Sequence, residues 1–309
     1  AYSAEKWATL RDNIMEYGEL ADLVHEYNPT VISNRSTYKD QKNKNLNDIY
    51  DDYMKDIDDI WDQADSADND ITWASLRYSA GLLTKQADNN YEDADMEKIQ
   101  YDQQEAKLVY QAQEMMVSLK QSAYNLENLQ STRELLQKQY EAAQAQLSVG
   151  MATQTDVLTA LKRVQDQDSA ILTAQKSQEN VHRNLCLMLG WSADAQPEIK
   201  EVPQPDLSRI DTLDPNTDAQ TAIDNNYDVK YYTKKAGNLT SQDLIESNQA
   251  TLANAKDTAV RSLKTQYNTV LTTRDALNAA KAQLQVAEAN LNIAQANLAV
   301  GSQTSLQYQ

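Results

Sequence analysis

The chain has 309 residues, a formal net charge of −18 and a mean hydropathy of −0.71. It has no run of about 18 apolar residues, which excludes a transmembrane helix, and its acidic balance argues against a nucleic-acid partner, because nucleic-acid binding needs a basic surface. Hydrophobic residues make up 41% of the chain, many of them alanine and none phenylalanine, which favours long, closely packed helices over one globular core.

The residues that most often carry chemistry are few and scattered. Cys186 is the single cysteine, which excludes a disulfide framework within the chain and a cysteine zinc cluster; its apolar neighbours indicate a small buried hydrophobe. His25 and His182 lie on separate helical segments without a nucleophile motif nearby, and no phosphate-binding glycine motif occurs. We therefore expect no enzyme activity, no cofactor and no metal site.

A short first helix is predicted to end at Asn28, because Pro29 follows it. The opening residues AYSAEKWATL lack the basic start and apolar core of a signal peptide, so a mature exported chain, a trimmed chain and a cytosolic protein all stay open. A long helix is predicted from about Pro29 to about Gln86. Within it, nine aspartates between Asp51 and Asp70 indicate a solvated helix face, with a cation-binding ring as the alternative.

The next segment predicts a helical hairpin. A polar turn at LTKQADNNYEDADMEK is followed by a helix from about Asp95 to Val149, roughly 80 Å long. Apolar spacings of three, four and seven residues continue past Gly150 and stop at Gly190. Gly150 therefore lies in a tight turn that needs a positive φ, between two antiparallel helices.

The returning helix carries a start signal directly after the turn, in the string AQAQLSVGMATQTDVL. Thr153 or Thr155 is expected to cap its first turn, because a hydroxyl can accept from the unpaired backbone N–H groups there. Asp156 suits the positive end of the helix dipole.

A second set of the same signals follows a proline-rich stretch. Asn225, Asn226 and Tyr227 resemble the break at Asn28, and an alanine-rich helix is predicted from about Asp243 to Val300. Its apolar stripe includes Leu277, Leu284 and Leu291. Its end, AQANLAVGSQTSLQYQ, repeats the pattern of the first turn.

These signals divide the chain into two internal repeats. The first repeat covers 1–190 with its turn at Gly150, a linker covers 191–215, and the second repeat covers 216–309 with its turn at Gly301. The second repeat is expected to be incomplete, because no returning helix follows its turn. We expect that helix to lie outside these 309 residues, since an unpaired amphipathic helix would expose its apolar face.

The first repeat resembles the TolC-like outer-membrane efflux channels. In that family a glycine is followed six residues later by Asp-Val-Leu and then by a helix that ends in leucines and a glycine; Gly150, Asp156 and Leu185–Gly190 fit this pattern. ANLAVGSQTSLQY is similar to the family's second repeat. EYNPTVISNRSTYK and NNYDVKYYTKKA resemble the starts of its inner helices.

The resemblance implies an all-α fold of long antiparallel coiled-coil hairpins, which closes into an α-helical barrel as a homotrimer. It implies a passive conduit, the channel component of a tripartite efflux or type I secretion system, exported to the cell envelope. The partners implied are a membrane-fusion adaptor and, through it, an inner-membrane ABC or RND-type pump. Little or no β-barrel is expected, because ITWASLRYSAGLL has room for one strand and not for a pair of about 10 residues each.

The resemblance also implies that the two turns form tips that dock onto the adaptor, although turn geometry alone would equally call for the glycines. The implied docking residues are Val149, Gly150, Met151, Ala152, Thr153, Val300, Gly301 and Ser302. In the family a basic residue and a carboxylate past the second glycine hold the tip closed. Gln303 and Gln307 occupy those positions here, whereas Asp156 is retained in the first repeat.

Two other classes of protein compete with this hypothesis. One is a non-conducting cell-surface coiled-coil scaffold, which sustained heptads without a duplicated glycine turn would favour. The other is the adaptor itself, which also has a long helical hairpin but should carry flanking β-domains rich in valine, isoleucine and glycine. No such segments are visible in the sequence.

Overall fold

The computed structural model describes residues 2–301, of which nearly all regular structure is helical. The chain is 80% helical with almost no strand, which confirms the all-α class. In chain order the α-helices are α1 Ala4–Thr9, α2 Leu20–Tyr27, α3 Pro29–Gln41, α4 Leu46–Asp65, α5 Asp70–Asp88, α6 Ala94–Ser148, α7 Gln154–Met188, α8 Ala219–Asn225, α9 Tyr227–Ala236 and α10 Gln242–Ala299. Two short strands, β1 (Ile14–Met15) and β2 (Glu198–Ile199), pair in parallel.

The chain folds as two compact units. One comprises the chain up to Asn28, Leu108–Asp211 and the chain from Thr269 onward; the other comprises Pro29–Lys107 and Thr212–Asn268. The long helices α6 and α10 each contribute to both units. None of the described helices is both long enough and apolar enough to cross a membrane.

The predicted hairpin around Gly150 is confirmed. Helix α6 has 55 residues, about 80 Å at 1.5 Å per residue, and α7 returns beside it. The antiparallel arrangement is evident from two contacts: the Arg133 guanidinium lies 2.8 Å from the Asp168 carboxylate, and the Gln167 amide donates to the Leu129 carbonyl at 2.8 Å. The predicted second long helix is confirmed as α10, which has 58 residues.

The prediction of one long helix from Pro29 to Gln86 is wrong, because the segment forms α3, α4 and α5. Asn45 ends the first break: its side chain accepts from the backbone N–H groups of Asn47 and Asp48, and Asp48 accepts from the Asn45 N–H in return. Asn69 ends the second break by accepting from Thr72 N–H. Such side-chain caps compete locally with helix continuation, so they divide the segment into separate helices although no proline or glycine stands at either break.

Helices α4 and α5 form a hairpin of their own. A core of Ile57, Ala80 and Ala87 lies between them, with Trp61 and Leu83 packed against it. The nine aspartates from 51 to 70 are all exposed, as a solvated face requires. The segment ITWASLRYSAGLL lies within α5, so the expectation that it could form a strand is wrong; its small and apolar residues pack at helical spacing instead.

Cys186 belongs to the core of the first unit, as its apolar neighbours predicted. The side chains of Cys186 and Leu185 are fully buried, and so are those of Leu23 and Val24 in α2. Burial raises the pKa of the Cys186 thiol, because the thiolate would lose its hydration. The Asn28 amide donates to the Met188 carbonyl at 2.9 Å, which joins the end of α2 to the end of α7.

Candidate functional site

The turn between α6 and α7 is a glycine C-cap of the Schellman type. Gly150 has a φ of 75°, which an L-residue rarely adopts. Its N–H donates to the Leu147 carbonyl at 3.0 Å, and the Met151 N–H donates to the Gln146 carbonyl at 2.8 Å. These two bonds satisfy carbonyls that the helix end leaves unpaired, so the predicted role of Gly150 in the turn is confirmed.

The returning helix starts with a capping box that joins Thr153 and Asp156. The Asp156 N–H donates to the Thr153 hydroxyl oxygen at 3.2 Å, while the Asp156 carboxylate accepts from the Thr153 N–H and hydroxyl, both at 2.7 Å. Sequence reasoning left Thr153 and Thr155 open, and the structure selects Thr153. These hydrogen bonds, the one from the hydroxyl first, hold the pKa of Asp156 below its ordinary value. The predicted role of Asp156 in tip closure stays a prediction.

Two apolar side chains stand exposed on either side of Gly150. Val149 is 68% exposed and Met151 is 79% exposed. Ala152 is half-buried, and Thr153 is exposed. A Cβ added to Gly150 would meet no atom within 4 Å, so the turn is open to solvent as well as sharp. The tip thus offers apolar contact area that nothing in the described chain covers.

The end of α10 repeats this geometry as far as it can be followed. Gly301 has a φ of 74° and donates to the Leu298 carbonyl at 3.1 Å, as Gly150 does to Leu147. Val300 precedes it and is 78% exposed, as Val149 is before Gly150. The predicted tip residues Ser302, Gln303 and Gln307 lie outside the described residues.

The breaks at the starts of the two halves also match. Asn28 has φ −68° and ψ 124°, and Asn226 has φ −71° and ψ 128°. Each is the residue that ends one short helix and precedes the next. The Asn226 side chain accepts from the Val229 N–H and so caps α9. The two halves therefore share this break as well as the glycine turn, and the internal repeat stays a prediction.

A third glycine with positive φ shows what is particular to the tips. Gly190 has a φ of 84° and follows the end of α7. Its N–H donates to the Leu187 carbonyl at 3.3 Å, and the Trp191 N–H donates to the Cys186 carbonyl at 2.9 Å, as in the turn at Gly150. Here, however, an added Cβ would lie 2.5 Å from the Tyr27 Cβ. At Gly190 the Schellman turn therefore allows close packing against Tyr27, whereas the same turn at Gly150 is open to solvent.

Helix α10 carries two exposed apolar ridges near the second turn. Sequence reasoning found the first and missed the second. The first ridge consists of Leu277, Leu284 and Leu291. The second consists of Val286 and Ile293, and exposed Val300 follows directly after the end of α10. Members of each ridge are seven residues apart, and the ridges are offset by two residues, about 200° around the helix. Because the ridges lie on opposite sides, one neighbouring helix could not cover both. A search for a period of seven would have found the second ridge.

Within residues 2–301 no group of three or more His, Cys, Asp or Glu side chains is placed to hold a metal ion. Comparison with protein-family models, curated proteins and solved structures finds no match to the chain. The resemblance to TolC-like channels therefore stays a prediction, supported by its motifs.

Proposed function

We propose that this chain is the channel subunit of a tripartite efflux or type I secretion system of the TolC-like kind. It acts as a passive conduit in the cell envelope, without enzyme activity, and the pump selects the substrate. The observation that carries the proposal is the tip at Gly150. An apolar, uncovered turn stands at the end of a helix about 80 Å long, as docking onto the helical hairpins of a membrane-fusion adaptor would need.

The proposed assembly is a homotrimer whose long helices form the wall of a tunnel. A helix in such a wall has a neighbour on each side and therefore needs an apolar surface on each side. The two ridges of α10 have this arrangement. Alanines beside the second ridge, such as Ala282 and Ala289, leave room for a neighbour to approach closely on that side.

A non-conducting coiled-coil scaffold is the second candidate, and the seven-residue spacing of Leu277, Leu284 and Leu291 favours it. A two-stranded coiled coil, however, buries one seam. It offers no role for Ile293 and Val286 on the opposite side of α10. The two candidates therefore differ in whether one ridge or both are buried in the assembly.

The docking tip can be tested with a photo-crosslinking amino acid at Met151 of the full chain, expressed in its native host. The control carries the same group at Tyr124, an exposed side chain on the shaft of α6. We expect the Met151 position to capture a protein that has an adaptor-type helical hairpin, and the control position to capture none. Equal capture at both positions, or capture of no such protein at Met151, would overturn the docking proposal.

A further inference from the structure

Helix α5 is apolar on two opposite sides. One side faces α4, where Ala80, Leu83 and Ala87 pack. The other side carries Ile71, Tyr78 and Leu82, which are 83%, 70% and 50% exposed. The spacings of seven and four residues place these three side chains in one stripe, which we call the outer stripe. A helix that is apolar on both sides is typical of one buried between two neighbours, and α4 is only one of them.

The partner helix α4 has no such second apolar side. It carries eight aspartates and one basic residue, Lys55, between Leu46 and Asp65, and its surface away from α5 is acidic. A second α4 would therefore be a poor cover for the outer stripe, because the contact would strip water from unpaired aspartates. The same charge would repel an anionic lipid surface.

Charges of opposite sign stand at the two ends of the outer stripe. Asp68 lies two residues before the start of α5, and Lys85 lies near its end. Within the part of the chain that the structure describes, these side chains form no ion pairs, since the recorded pairs involve other residues. Two parallel copies of α5 would bring like charges together, whereas two antiparallel copies would bring opposite charges together.

We propose that the outer stripe is a self-association surface on which α5 of a second copy packs in the antiparallel direction. If Ser75 of one copy lies beside Tyr78 of the other, Ile71 lies beside Leu82 and Lys85 beside Asp68. In this register a small residue receives the tyrosine ring, two aliphatic side chains meet, and the charges are paired. The contact has two-fold symmetry, so each of these pairs occurs twice.

The outer stripe is thus covered by a second copy of this chain. The evidence for this partner is that the charges and side-chain sizes along the stripe are complementary to those of an antiparallel second copy. The inference does not depend on a tunnel. A trimer built through the long helices could form with or without contacts between α5 helices.

A charge-swap series on the full chain tests the pairing. We expect Lys85→Glu to weaken self-association about tenfold, because two symmetry-related contacts become repulsive, and Asp68→Lys to do the same. The double variant Asp68→Lys/Lys85→Glu should return to within about twofold of the original, because the pairs are restored with their signs exchanged. Lys55→Glu is the control: it changes the net charge equally but lies on α4. Association is measured by sedimentation velocity over a range of concentrations.

Equal weakening by Lys85→Glu and Lys55→Glu would overturn the proposal, and so would a double variant as weak as the single ones. Cysteine cross-linking supplies a second measurement that reports position. Ile71 and Leu82 both lie in the outer stripe and face one another in the proposed register, so Ile71→Cys/Leu82→Cys should form a dimer by a disulfide between positions 71 and 82. Cys186 does not compete, because it is fully buried.

The single variant Ile71→Cys should form no cross-linked dimer, because the two copies of position 71 lie far apart in the antiparallel register. A dimer of that variant, joined through position 71 in both copies, would mean parallel packing and would also overturn the proposal. If light scattering shows a trimer while the α5 cysteines stay unlinked, this inference fails and the proposed channel function is unaffected.

Discussion

At the scale of single residues, glycine serves two physical purposes in this chain. Gly150 and Gly301 provide a positive φ in open surroundings, where the only obstacle to a side chain is backbone strain. Gly190 provides a positive φ and also lets Tyr27 approach. At all three positions the glycine N–H donates to the carbonyl three residues back, but the surroundings differ, which the sequence alone does not reveal.

We expect Gly150→Ala to lower the free energy of unfolding by about 1 kcal/mol, because alanine is strained in the left-handed region. Gly190→Ala should lower it more, since its Cβ would also lie 2.5 Å from that of Tyr27. Gly81 is the matched control: it lies inside α5 with open space around it, and Gly81→Ala should raise stability by about 0.5–1 kcal/mol. Urea unfolding measures all three. A Gly150→Ala variant as stable as Gly81→Ala would contradict the turn assignment.

At the scale of elements, helix starts decide where the first half of the chain breaks. No proline or glycine interrupts the chain at Asn45 or Asn69, so the sequence predicts one helix where the structure has three. Asparagine followed by a carboxylate or hydroxyl residue three positions later was the available signal, in Asn45–Asp48 and Asn69–Thr72. The same signal at Thr153–Asp156 was recognised because a glycine turn preceded it.

We expect Asn45→Ala to lower the free energy of unfolding of the full chain by about 1 kcal/mol, because two N–H groups at the start of α4 lose their acceptor. Asn43→Ala, two residues before the cap, is the control and should be close to neutral. Urea unfolding monitored by circular dichroism at the helix band provides the comparison. Equal stability of the two variants would mean that packing, and not the cap, starts α4.

At the scale of the whole molecule, the exposed ridges of α10 bear on assembly. A wall of helices buries both ridges, and a single coiled-coil seam buries one. Apolar side chains seven residues apart on both sides of one helix are otherwise an aggregation liability, which argues that an assembled state covers them.

We expect the mass in solution, measured by light scattering on the full chain, to be near three times the mass of one chain. Leu284→Glu and Ile293→Glu, one on each ridge, should each shift the mass toward that of one chain, because a buried unpaired carboxylate is unfavourable. Gln283→Glu adds the same charge beside the first ridge and should leave the mass unchanged. A monomer or dimer in the unsubstituted chain, or sensitivity at one ridge only, would favour the scaffold hypothesis over the tunnel.

Much of this fold follows from the sequence by itself. The all-α class, the turn at Gly150, the ends of α6, α7 and α10 and the burial of Cys186 depend on apolar period, glycine and capping residues within a few positions of one another. Those interactions are local, so they can be recognised from residues that are close together in the sequence. The exposure of Val149 and Met151, the crowding of Gly190 by Tyr27 and the two-sided character of α5 depend on residues far apart in the chain. Only the tertiary structure decided these, because a side chain is exposed or covered according to what folds against it.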